Sequence, residues 1–139
     1  MVSRKVFLAP DIFVAFVDRA DPKHLHASAF FRYFSQEQHF LYTTIVVISD
    51  VYKEISTRIS PILAKEFIKA LSLSSINMLY PEESDIKLTY KTLIGTSSSD
   101  LSFQEALIAS MASRREIPYI CTVNYLHPLF GLTAFYLPI

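Results

Sequence analysis

The sequence predicts a three-layer α/β/α domain around a mostly parallel sheet, and three observations carry that prediction. The run Lys5-Val6-Phe7-Leu8 is apolar with almost no polar alternation, as a strand covered on both faces should be. Further stretches of strand composition, at Phe40–Thr44, Ser75–Tyr80 and Ile117–Thr122, are separated by segments long and periodic enough to be helices. Strands joined through helices pair in parallel and are covered by those helices on both sides. The 139 residues suit one domain, residues 1–139, able to bury about two-thirds of the surface its unfolded chain exposes.

After the first strand, closed by Pro10 and Asp11, a brief helix is placed over Ile12–Val17, and the turn-rich Asp18-Arg19-Ala20-Asp21-Pro22 stops it. A second helix is expected from about Lys23 to Gln36, with Leu25, Ala29, Phe30, Tyr33 and Phe34 forming its apolar face. The next strand is placed at Phe40–Thr44. Ile45-Val46-Val47-Ile48 reads either way, since β-branched residues favour a strand while the following Asp50-Val51-Tyr52-Lys53-Glu54 looks helical, and a helix is placed from Ile45. Ser60-Pro61 gives a cap and a first-turn proline for a helix to about Leu73. Ser75–Tyr80 is a third strand, and Pro81-Glu82-Glu83 opens a helix with acids at its positive end, ended by Gly95. Thr96-Ser97-Ser98-Ser99-Asp100 is the most loop-like segment. Ser102-Phe103-Gln104-Glu105 reads as a capping box before an apolar helix to Arg115, followed by the strand Ile117–Thr122, a turn at Val123-Asn124-Tyr125, and a last short strand over Leu132–Leu137.

The composition excludes several classes. A formal net charge of zero gives no field from which to argue nucleic-acid binding by charge alone, so such a partner needs a local patch or a metal. The single cysteine, Cys121, rules out an intramolecular disulfide and fits a reducing compartment. No apolar run approaches the ~20 residues of a membrane span, so no membrane partner is expected and the chain is read as cytoplasmic. Hydrophobic content of 51% suggests self-association.

Four short segments then point the same way. Val6-Phe7-Leu8-Ala9-Pro10-Asp11-Ile12-Phe13-Val14-Ala15-Phe16 is a strand, a polar turn and a hydrophobic helix. Val46-Val47-Ile48-Ser49-Asp50 puts an acid in the helix after the second strand. Ser102-Phe103-Gln104-Glu105-Ala106 and Thr122-Val123-Asn124 follow, with Phe130-Gly131-Leu132 and Pro138 near the end. In order and spacing, from Lys5 to Pro138, the chain resembles the PIN domain, the fold of the VapC-like toxins and other metal-dependent ribonucleases. The resemblance implies four acids holding Mg²⁺ or Mn²⁺ for RNA hydrolysis, a dimer, and a small antitoxin that blocks the acidic cleft. This chain departs from the pattern: the first acid is Ala9, the second Asp50, the third Glu105 and the fourth Asn124. Asp50 and Glu105 are then the candidate metal ligands and catalytic groups, with Asp11 as a substitute for the missing first acid; Ser102, Thr122 and Asn124 are candidates for positioning substrate.

Each candidate has a plainer reading beside it. Asp50 also suits a polar helix surface, Glu105 the capping box alone, Asn124 a turn, and Asp100 a solvated loop. His24 and His26 are two apart and cannot share a helix face, while His39 and His127 have no ligand spacing. Cys121 reads as a packed thiol. Phe30, Phe31, Tyr33 and Phe34 read as core and dimer contact before a base-stacking platform. Arg114, Arg115, Lys65, Lys69, Lys87 and Lys91 read as a solvated exterior within reach of RNA phosphates. The functions left open are a divergent endoribonuclease working through Asp50, Glu105 and Asp11, an inactive PIN-like module binding RNA or protein, and a nuclease silenced by an introduced Ala9 or Asn124. A dinucleotide-binding enzyme is a weaker rival, because the first turn contains no glycine.

Overall fold

The computed structural model describes residues 3–96, 101–123 and 133–135. Its elements run β1 (Lys5–Leu8), α1 (Pro10–Val17), α2 (His24–Gln36), β2 (Phe40–Thr44), α3 (Ile45–Arg58), α4 (Pro61–Ser72), β3 (Asn77–Leu79), α5 (Glu83–Gly95), α6 (Phe103–Arg114), β4 (Tyr119–Cys121) and β5 (Thr133–Phe135). The strands form one sheet in the order β3-β2-β1-β4-β5, every pairing parallel. Of the last strand expected over Leu132–Leu137, Thr133–Phe135 is described.

β1 lies at the centre, and Val6, Phe7 and Leu8 are fully buried. The core continues through Ile12 and Phe13 of α1, Phe30 and Phe34 of α2, Val47, Ile48, Val51 and Ile55 of α3, and Leu107, Ile108 and Met111 of α6. The ambiguous Ile45–Ile48 is helical: β2 ends at Thr44 and α3 begins with no intervening loop. Val47, Ile48, Val51 and Ile55 then fall on one helical face, so burial settles what β-branching left open.

One expectation is corrected. The inward face of α2 is Ala27, Phe30 and Phe34, whereas Leu25 is 78% exposed and Tyr33 46% exposed. The sequence spacing is compatible with either stripe, and the helix is rotated so that the stacked pair Phe30–Phe34 packs inward. Gly95 ends α5 as expected, without a left-handed backbone, and an added Cβ there would meet nothing within 4 Å. The left-handed positions are Gln38, with φ 54°, and Glu116, with φ 57°. Each follows a helix in a Schellman turn: His39 N–H donates to the Phe34 carbonyl at 2.9 Å and Gln38 N–H to Ser35 at 3.3 Å, and Ile117 N–H donates to Ala112 at 2.9 Å and Glu116 N–H to Ser113 at 3.2 Å.

α5 and α6 pack against each other and are fastened at one end by charge. The Asp85 carboxylate is fully shielded and accepts from Arg114 Nη1 at 2.7 Å and from Arg115 Nη1 and Nη2 at 2.9 Å each. Burial alone would push this carboxyl up. The Arg115, Glu82 backbone and Arg114 hydrogen bonds, with the Arg115 charge, outweigh it and hold the group down at about 2. Arg114 and Arg115, expected as solvated cations, are thus anchored to α5. No helix among the described residues is long and apolar enough to cross a membrane.

Candidate functional site

The parallel register sets the site. Leu8 pairs with Cys121, so β1 and β4 end side by side, and the Ala9 N–H donates to the Cys121 carbonyl at 3.0 Å. Ala9 is then the N-cap of α1, extended at φ −78° and ψ 164° with no side-chain cap, and Pro10 opens the helix. Ala9, where the resemblance implies a first acid, is therefore a buried helix N-cap, 4% exposed. Asp11, in the first turn, comes to the strand β4 exit, where the almost fully buried Thr122 donates its hydroxyl to Asp11 Oδ2. Burial above all, and then the Asp11 charge, push the Cys121 thiol far above its usual range, which keeps it protonated and inert.

Across the strand ends, α3 carries Asp50 in its second turn, on an exposed face. Gln104 Nε2 donates to Asp50 Oδ2 at 2.5 Å, which joins α3 to the first turn of α6. That turn is the expected capping box: Ser102 Oγ accepts from the Glu105 N–H at 3.0 Å, and Glu105 Oε1 accepts from the Ser102 N–H at 3.1 Å. The cap reading of Ser102 and Glu105 is thus realised. Asn124 and Asp100 lie outside the described residues.

The structure therefore brings the candidates together in two groups, Asp11 with Thr122 and Asp50 with the Ser102–Glu105 cap. Among the described residues, no three His, Cys, Asp or Glu side chains assemble into a set that could hold a metal ion. Asp11, Asp50 and Glu105 consequently do not form a set of three around one ion position, and of the three only Asp50 and Glu105 are placed near each other, through the Gln104 contact.

Four neighbours escaped the sequence reading. A cavity of about 330 Å³ beside Asp11 is lined also by Asp21, Lys23, Glu54 and Arg58. Glu54 and Arg58 stand four and eight residues after Asp50, one helical face, so their spacing could have found them. Lys23 Nζ donates to the Val123 carbonyl at 3.2 Å, which pins the start of α2 to the turn after β4. Nothing local in the sequence announces that contact across the fold, nor the one from Gln104 to Asp50. His24 Nδ1 lies 2.9 Å from the Ala15 carbonyl, a structural use of that histidine.

No family model matches the chain, and no curated protein matches it. Solved structures do. VapC20 of Mycobacterium tuberculosis, described as a Sarcin-Ricin loop cleaving toxin, aligns with TM-score 0.73 and 14% identity over 83% of this chain and 86% of that one. VapBC2 from Rickettsia felis, bound to a DNA fragment from its promoter, gives 0.71 and 12% over 94% and 97%. FitAcB from Neisseria gonorrhoeae gives 0.66 and 11% over 94% and 96%. At these identities the likeness is one of fold, and it agrees with the order of strands and helices that the sequence pattern implies: the chain has the PIN-domain fold of VapC-type structures.

Proposed function

We propose that this chain is a PIN-domain protein of toxin type that engages RNA at the C-terminal end of its sheet and has lost most or all of its own cleavage activity. The observation that carries this reading is the state of the carboxylates. Asp11 is hydrogen-bonded to Thr122, Asp50 to Gln104 and Glu105 to its own helix cap, and no trio of ligands converges among the described residues. A first acid replaced by Ala9 and a fourth by Asn124 remove two charges from the quartet that the PIN resemblance implies. Mg²⁺ can sit on one or two carboxylates with water and substrate oxygens completing its shell, so Asp50 and Glu105 are the pair to which a weakly held ion would fall. The ion's chemistry there would be to activate water and to neutralise charge on the attacked phosphate.

A regulatory protein partner of antitoxin type belongs to the same proposal. An apolar groove of about 700 Å³ runs between α1, α2 and α4, with Phe13, Phe16, Phe31 and Phe67 among its lining. Its open, aromatic character suits the apolar face of a partner helix. Homodimerisation, proposed from the same surplus of apolar surface, would use residues such as Ile62 and Ile94, exposed at 76% and 86%.

The test is cleavage of a panel of structured and single-stranded RNAs with Mn²⁺ or Mg²⁺, beside EDTA, Asp50→Ala and Glu105→Ala. RNA binding with no cleavage under any condition is the expected result. Robust cleavage that disappears in EDTA and in both variants would overturn the loss of activity and establish a nuclease that works without two of its acids. Absence of RNA binding altogether would favour the protein-binding module.

A further inference from the structure

The end of the domain opposite Asp11 carries a second feature that the strand-end site does not use. A cavity of about 660 Å³, a size suited to a nucleotide, opens at the start of β1 and β2 and is lined by Arg4, Lys5, Tyr33, His39 and Phe40, with Glu37 as the only acid among the described residues there. Lys5 and Phe40 are register partners in adjacent parallel strands, so their side chains leave the sheet on the same face. The Phe40 N–H donates to the Arg4 carbonyl at 2.8 Å, which fixes the two segments together.

The aromatic wall is built by the Schellman turn. Left-handed Gln38 folds the chain back so that the His39 ring packs against Tyr33 at 5.3 Å and Phe34 at 5.1 Å. Phe34 is core, but Tyr33 and Phe40 remain 46% and 58% exposed, large aromatic surfaces left in solvent beside two cations. Burial, then the Arg4 charge, hold His39 below its ordinary value, so its ring stacks as a neutral group. The Arg4 guanidinium donates to the Glu37 backbone carbonyl, which positions its charge at the mouth without neutralising it. Cations interleaved with exposed aromatic faces are the chemistry that holds single-stranded nucleic acid: phosphates against the cations, bases stacked on the rings.

We propose that this cavity is a second, sequence-tolerant subsite for single-stranded RNA, with Arg4 and Lys5 on phosphate and Tyr33 and Phe40 as base platforms. It deepens the RNA-binding reading above and rests on it. Because Lys5 and Phe40 begin their strands and Asp11 and Thr122 lie beyond the ends, an RNA using both places must pass around the domain. The subsite would therefore select long, unpaired RNA over short substrates.

The experiment is fluorescence anisotropy of the full chain with labelled single-stranded RNA in EDTA, over a range of salt. Arg4→Gln with Lys5→Gln should lower the slope of log K against log salt by about 1.4, two phosphate contacts at ~0.7 each. Tyr33→Leu with Phe40→Leu, two stacked bases at ~1 kcal/mol or more each, should weaken binding at least about 30-fold while leaving the slope intact. Unchanged binding in both variants overturns the proposal, as does an aromatic variant that alters sedimentation but not RNA affinity, which would make the surface a protein contact. Should a variant fail to fold, photocrosslinking of 4-thiouridine RNA to the unaltered chain decides instead: crosslinks within residues 3–5 or 33–40 support the subsite and crosslinks found only elsewhere refute it. Metal-dependent cleavage measured in parallel separates the two readings. RNA still bound with no effect in the pocket variants removes the subsite alone, whereas metal-dependent cleavage overturns the loss of activity and leaves the subsite to the binding result.

Discussion

Asp85→Asn is the perturbation whose consequence the structure specifies most closely. The carboxylate is fully shielded and takes three hydrogen bonds from the guanidinium groups of Arg114 and Arg115 at 2.7–2.9 Å, so its charge is stabilised far more in the folded than in the unfolded chain. Holding it at about 2 against the usual 3.8 corresponds to about 2 kcal/mol at neutral pH. The folded value is the lower one, so the unfolded chain takes up the proton first as pH falls. The contribution is complete above about pH 5 and disappears as pH drops through 3.8 towards about 2. The substituted amide keeps an acceptor but no charge, and it leaves two arginines facing a neutral group. The variant should therefore lose about 2–3 kcal/mol at pH 7 and show a stability profile between pH 5 and pH 2 flatter than the parent's by about 2 kcal/mol. Urea unfolding followed by helical circular dichroism at several pH values measures both. Equal acid slopes in the two proteins would refute the reasoning, because they would mean that Asp85 is no more stabilised in the fold than in the open chain.

Two further outcomes follow from the local geometry. Cys121 is fully buried and its thiol is pushed up by burial and by Asp11, so at pH 8 it should not react with a thiol reagent in the native protein and should react stoichiometrically in urea. At the helix ends, adding a glycine in one place and removing one in another should both stabilise: Glu116→Gly, at φ 57°, by about 0.5–1 kcal/mol, and Gly95→Ala, with space around it and an ordinary helical backbone, by a similar amount. Thermal melts check both, and a destabilising Gly95→Ala would show that the end of α5 needs backbone freedom after all.

What was legible in the sequence is what depends on neighbours along the chain. Strand Lys5–Leu8, the boundary between Thr44 and Ile45, the Ser60-Pro61 start, and the Ser102–Glu105 capping box all rest on residues within a turn of one another, and each stands in the structure. The errors come where two local solutions have equal merit. Leu25 and Tyr33 lie on a stripe as apolar as the Ala27–Phe30–Phe34 stripe, and only the sheet beneath decides between them. Gln38 and Glu116 take left-handed helix ends that nothing in their composition announces, because tertiary docking of His39 and Ile117 outweighs the absence of glycine. Arg114 and Arg115 read as solvated because Asp85, their partner, is about thirty residues away. The site shows the same division: its carboxylates were legible as types and spacings, while Gln104 on Asp50 and Lys23 on Val123 are contacts that exist only once the fold has closed.

Ala9 is the position that distinguishes a site awaiting its ion from one refitted for another purpose. It is the N-cap of α1 and 4% exposed, and no side chain there accepts from the helix. Ala9→Asp introduces two opposing effects. A carboxylate at an N-cap stabilises a helix by about 0.5–2 kcal/mol. The same carboxylate is placed in a buried position close to Asp11, where like charge and desolvation act against it by a comparable or larger amount. In EDTA the variant should accordingly be no more stable than the parent, despite the better cap. If the surrounding backbone still forms the cradle that the PIN pattern implies, Mn²⁺ relieves the repulsion: at ~100 times Kd it adds about 2.7 kcal/mol, roughly 10 °C in Tm for a chain of this size. A variant that is stabilised without metal and indifferent to Mn²⁺ would mean that α1 accepts the acid as a cap alone. The strand ends around Thr122 and Asp11 would then not hold the ion that the resemblance implies, even with an acid at Ala9.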